Sequence, residues 1–172
     1  ERFLALLLDI ADTTKATVLY EMEDKLQVSK STMDEDMRKL RLFLKDYAIS
    51  VVSLPKQGIV LQGYERSIRS MLYKVIASMT DIDYLMGFRD AEVVTAFSDQ
   101  LVLNYLDTDV LKVISEHYDH VLKSEGTMIN QVYRNQIILF IGVWVRRLQE
   151  GNTLSEMGKV RREIKEDSVR NF

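Results

Sequence analysis

The sequence predicts a mainly α chain: three helices and a β-hairpin, followed by an all-helical region. Three observations lead there. A single proline and seven glycines in 172 residues leave room for long uninterrupted helices. Apolar residues recur at helical spacing in three successive segments before residue 47. Between Ile49 and Leu61 that period gives way to alternation around a Pro-Lys-Gln-Gly turn, the pattern of two short strands.

Phe3, Leu4, Leu7, Leu8, Ile10 and Ala11 form the first helical stripe, which Asp12-Thr13-Thr14 ends. Ala16 to Leu26 repeats it with Val18, Leu19, Met22 and Leu26, and Gln27-Val28 makes the turn. Ser29 is a good N-cap, because its hydroxyl can accept from the backbone N–H of Ser31 or Thr32. Met33, Met37, Leu40, Phe43 (or Leu44) and Tyr47 then carry a third helix to about Asp46. Ile49 to Leu54 reads as a strand, Pro55 to Gly58 as a turn, and Ile59 to Leu61 as a second strand closed by Gly63. Three helices followed by such a hairpin make a winged helix-turn-helix, expected over residues 1–63. In that fold the third helix enters a DNA groove and the hairpin, the wing, lies near the backbone.

Residues 64–172 read as helical throughout. Glu65 to Met79 places Ile68, Met71, Leu72, Val75 and Ile76 on one face, and Thr80 to Asp83 breaks it. Asp90 is placed to cap a helix running to about Tyr105, and Thr108 or Asp109 one from Val110 to Lys123 that Gly126 ends. Asn130 to Gln149 is apolar nearly all round in its middle, so it is expected to be the most buried element. Gly151-Asn152 stops it, and Leu154 to Val169 makes a last charged helix.

Composition excludes several classes. Hydrophobic content of 47% with 28% charged residues is that of a globular domain, not a disordered chain. With no cysteine, disulfide frameworks and thiolate metal sites are ruled out, and a cytoplasmic location is expected. The longest apolar run, Ile137 to Val145, is far short of the roughly 20 residues needed to span a bilayer, so no membrane partner is expected. No Gly-rich phosphate loop, nucleophile elbow or Ser/His/Asp set is present, and neither enzyme activity nor a cofactor is expected. The chain starts without methionine and stops inside a charged helical pattern, which reads as a fragment of a longer protein.

Two motifs carry a family resemblance. Leu26-x-Val28-Ser29-x-x-Thr32-x-x-x-Asp36-x-x-x-Leu40 is succeeded by Gly58-Ile59-x-Leu61-x-Gly63-x-Glu65-x-x-Ile68-Arg69. Together they resemble the second winged helix of the bacterial PRD-containing transcriptional regulators (BglG/Mga-like). These comprise phosphotransferase-system-linked activators of sugar operons and their virulence-type, Mga-like relatives. The segment from Ile138 to Leu148 with Gly151 is similar to the opening helix of a PRD, and Glu163-Ile164-Lys165 with Phe172 to the PRD segment after that helix. On that alignment the chain stops partway through its first PRD.

The resemblance implies an activator of a sugar-uptake operon that binds double-stranded DNA as a homodimer. Phosphocarrier proteins of the phosphotransferase system would act through regions outside this chain. It also implies a phosphorylated histidine in the opening PRD helix, but the matching residue is Phe140, whose ring has no nucleophilic nitrogen.

On the third helix, Lys30, Ser31 and Thr32 sit where side chains meet base edges and phosphates, and Arg38 and Lys39 where backbone contact is expected. Lys56 of the wing is a candidate phosphate contact. Against strong DNA affinity stand the nine basic and ten acidic side chains of residues 1–63, a balance of −1, and the run Asp34-Glu35-Asp36 inside the helix. An alternative is therefore a protein-interaction module of a Mga-like regulator, with an RNA-binding antiterminator ranked lower because the chain opens on a helix-turn-helix. The only histidines, His117 and His120, stand at i, i+3; phosphate acceptance or metal binding is weighed against plain surface histidines, the favoured reading. Met71, Met79, Met86, Leu101, Leu103 and Leu106 read as core before groove, and Trp144 with Arg146-Arg147 equally as a dimer contact or as core with solvent-reaching arginines.

Overall fold

The computed structural model describes residues 1–87 and 96–154. The Asp90 cap, the helix expected from Leu154 to Val169, and the segment Glu163 to Phe172 lie outside them, Leu154 itself excepted. The chain divides into two compact units: Glu1–Met71 with Glu150–Phe172, and Leu72–Gln149. Each is described by itself.

The first unit is a winged helix-turn-helix. Helices α1 (Arg2–Ala11), α2 (Leu19–Leu26) and α3 (Lys30–Lys45) precede strands β1 (Ser50–Leu54) and β2 (Gly58–Gln62). Leu4, Leu7 and Ile10 of α1, Met22 of α2, and Met33, Met37, Leu40 and Leu44 of α3 are all buried, as period 3.6 requires. The choice between Phe43 and Leu44 falls to Leu44, which is fully buried; Phe43 instead stacks edge-on against Phe3, with centroids 5.2 Å apart. β1 and β2 pair antiparallel, Ser50 opposite Gln62 and Leu54 opposite Gly58.

The second helix starts later than its apolar pattern suggests. Residues 16–18 are extended because Thr17 pairs with β2: Thr17 N–H donates to Ile59 O at 2.9 Å and Ile59 N–H to Thr17 O at 2.8 Å. Thr17 is buried and also donates through its hydroxyl to Asp9, at 2.7 Å. Gly58 makes this approach geometrically feasible: at φ +132 a Cβ there would sit 2.3 Å from Thr17 O.

Helix α4 (Glu65–Met79) comes after the wing, and the boundary between the units falls within it. At its start Glu65 and Arg69, both buried, form an ion pair at 2.9 Å. Arg69 also donates to the carbonyl of Asn152 at 2.8 Å, and the Asn152 amide donates to the Thr13 hydroxyl at 2.7 Å. Residues 150–152 thereby close back onto the first unit.

The second unit holds the rest of α4 with α5 (Ile82–Leu85), α6 (Phe97–Leu106), α7 (Thr108–Ser124) and α8 (Gln131–Gln149). Asp107 caps α7, accepting from Asp109 N–H at 3.0 Å, one residue before the expected Thr108 or Asp109. Gly142 on α8 fits closely over α7, where an added Cβ would meet Leu111 Cδ2 at 2.6 Å. Met86, Leu103 and Leu106 are core residues of this unit, with Met79 and Leu101 half-buried, and Met71 is a core residue of the first unit.

One expectation for α8 fails, and so does part of one of the two readings of its C-terminal end. The helix is not the most buried element: Phe140 and Leu148 are exposed, whereas α1 buries seven of its ten residues. An all-round apolar helix has no face that the sequence marks as inner, so neighbours alone decide it. Nor do both arginines reach solvent, because Arg147 is buried and Arg146 lies 5.1 Å above the Tyr105 ring.

Candidate nucleic-acid interface

The Ser29 hydroxyl caps α3, accepting from Thr32 N–H at 3.2 Å, an interaction worth about 1 kcal/mol. The hydroxyls of Ser31 and Thr32 lie 3.0 and 2.9 Å from Ser29 Oγ, so three hydroxyls cluster at the helix start. Gln27 takes left-handed φ 53 just before them, which sets the turn between α2 and α3. Lys30 is exposed beside this cluster and enters none of the ion pairs found among the described residues.

The rest of α3 is two-faced. Met33, Met37, Leu40 and Leu44 point into the core, and Ser31, Glu35, Arg38 and Leu42 lie opposite at i, i+4, i+7 and i+11, all exposed. The acidic run is divided by this geometry. Asp36 turns back toward α1, where Arg2 Nε donates to its carboxylate at 2.8 Å. Glu35 stays on the outward face and takes both Arg38 Nε–H at 2.8 Å and Nη2–H at 2.9 Å, with Lys39 Nζ at 3.5 Å. These partners, the Arg38 hydrogen bond first, hold the Glu35 carboxyl down at about 2. Asp34 is exposed.

Lys56 projects at the tip of the wing, exposed and at left-handed φ 62, and it too is in no ion pair among the described residues. Arg41, which sequence reasoning left unassigned, fixes the wing: its Nη1 donates to Val51 O of β1 at 2.8 Å. No sequence spacing marks that bond, since its acceptor is a carbonyl that every residue carries.

The candidates thus fall into two places. Lys30, Ser31, Thr32, Arg38 and Lys39 share α3 and Lys56 sits on the wing, whereas His117, His120 and Phe140 belong to the second unit. His117 Nδ1 lies 2.8 Å from Val113 O, and both histidines are exposed. No group of side chains able to hold a metal occurs among the described residues. Phe140 packs edge-on to Tyr73 at 5.6 Å and against Trp144 at 5.3 Å. No helix among the described residues is long and apolar enough to cross a membrane.

Comparison with known proteins bears on the winged part of the chain. Residues 2–75 match the family model of the Mga helix-turn-helix domain. Neither the curated proteins nor the solved structures include a match to the chain. The match supports a Mga-like helix-turn-helix regulator, and with it DNA binding and transcription regulation; the domain is a regulatory one, not a catalytic one.

Proposed function

We propose that this chain is the DNA-binding and first regulatory part of a bacterial transcriptional activator, acting in the cytoplasm on double-stranded DNA. The observation that carries the reading is the outward face of α3, capped by Ser29 and set beside a wing with Lys56 at its tip. Residues 1–63 form the DNA-binding domain, with Lys30, Ser31 and Thr32 entering the major groove. Residues 64–172 form the helical regulatory region, a partial PRD, through which two copies associate and set half-site spacing. In the full protein, phosphorylation elsewhere biases that dimer and couples sugar uptake to transcription. Phe140 takes no part in this, since its ring offers no nucleophile.

The three ion pairs of the acidic run support DNA contact. Of the three carboxylates, Asp36 is engaged by Arg2 and Glu35 by Arg38 and Lys39, which leaves less repulsion toward phosphates than the sequence suggests. The near-neutral balance of residues 1–63 still favours one rival, an assembly module that binds protein in place of DNA. Fluorescence anisotropy with duplex from upstream of the operon separates them. Binding is expected to fall with rising salt and to weaken in Lys30→Ala and Lys56→Ala, each of which removes an exposed cation of the α3 and wing surface. Absence of binding even at low salt would overturn the DNA-binding reading and favour the assembly module.

A further inference from the structure

We infer that Arg38 reads a guanine base edge in the major groove and that Glu35 is the positioning residue that holds it for that contact. The inference rests on the DNA-binding reading above and gives Arg38 a different task from the backbone contact its place in the sequence suggests.

The geometry is specific about which edge of the guanidinium is used. Glu35 Oε2 accepts from Arg38 Nε and Glu35 Oε1 from Nη2, at 2.8 and 2.9 Å, a bidentate pair along one edge of the fork. An arginine has further donors, so the edge formed by Nη1 and the remaining Nη2–H is left for another acceptor. Guanine presents two acceptors, O6 and N7, side by side in the major groove, and the planar guanidinium matches them in a bidentate contact. A phosphate can take the same planar edge in a fork, so what marks a guanine contact is that loss of Arg38 changes base preference and not affinity alone.

Position and energetics agree. Glu35 and Arg38 lie on the exposed stripe directly opposite the core residues of α3, with side chains 46% and 66% exposed. Exposed pairs at this spacing contribute little to folding, so the pair is not explained as a device for stability. What it supplies is order: a long, flexible side chain is fixed before contact, and the entropy cost of fixing it on binding falls. Lys39 shares the carboxylate only at 3.5 Å, through a flexible ammonium with no planar edge, and suits a phosphate. The low value of about 2 for Glu35 keeps the pair charged at any pH where DNA is bound.

The test uses the full chain and a pool of duplexes randomised over the binding region, with selection, sequencing and titration. The wild type is expected to enrich guanine at one fixed position. Arg38→Ala should lose roughly five- to 150-fold of discrimination at that base pair and keep its other preferences. Glu35→Gln should lower the same discrimination without lowering affinity for unselected duplex. Lys39→Ala should weaken binding to all duplexes alike, with a salt slope shallower by about 1. All three substitutions lie on the exposed face, and circular dichroism checks that the helices remain. The inference is overturned if Arg38→Ala behaves as Lys39→Ala does. It is equally overturned if Glu35→Gln raises affinity for every duplex and leaves base preference intact, since Glu35 would then be only a competitor of phosphate. No binding to any duplex at low salt overturns the DNA-binding reading itself, and this inference with it.

Discussion

Glu35 carries opposite consequences in sequence and in structure. In the sequence it is one of three consecutive acids on a helix meant for phosphates; in the fold its carboxylate belongs to Arg38 and Lys39. Its titration reflects that. With the folded carboxyl at about 2 and an unfolded value of roughly 4.3, the pair's contribution is present above about pH 4.3 and lost as pH falls toward 2. An NMR pH titration should place the Glu35 midpoint near 2, and Arg38→Ala should move it back toward the ordinary glutamate range. An ordinary midpoint in the wild type would mean that the pair does not form in solution. Ser29 is the contrasting residue, because its partner Thr32 is three positions away and the cap was legible in the string of residues. Asp36 was not: its partner Arg2 is 34 positions distant, and no local pattern names it.

At the level of elements, periodicity located most helices and both strands to within a residue or two, since each pattern reports which side of its own element is buried. It failed where a segment had two uses. Ala16 to Val18 continue the apolar pattern of α2, yet Thr17 gives its backbone to Ile59 and takes the segment into the sheet. Gly58 is the counterpart of that choice, and Gly58→Ala should lower stability by about 2 kcal/mol or more, through both its positive φ and the clash with Thr17 O. Gly126→Ala is the control: its φ is +63 but nothing lies within 4 Å of the new Cβ, and a loss of about 1 kcal/mol is expected. Equal losses in thermal unfolding would show that the Thr17 contact is not what constrains Gly58.

For the molecule as a whole, the informative feature is the ion pair at the start of α4. Within the motif Gly63-x-Glu65-x-x-Ile68-Arg69 the two charged side chains stand at i, i+4, both are buried, and Arg69 reaches the Asn152 carbonyl, 83 positions on. Burying charges costs several kcal/mol per ion, and removing one partner takes away the ion pair that offsets that cost. Arg69→Met should therefore destabilise the chain by about 3–5 kcal/mol in denaturant unfolding, and Glu65→Leu combined with it should recover most of the loss. A single-variant loss below about 1 kcal/mol would show that the pair is solvated.

The sequence by itself determined what depends on near neighbours: the Ser29 cap, the turn at Gln27, the hairpin turn after Leu54, and the inner face of α3. These are settled by bonds spanning a few residues and by the period of each element. The tertiary structure alone decided which distant group meets which: Arg2 with Asp36, Thr17 with Ile59, Arg69 with Asn152, and the return of residue 150 to the first unit. Such choices depend on the free energy of closing long loops and desolvating both partners together, and no short stretch of sequence encodes that sum.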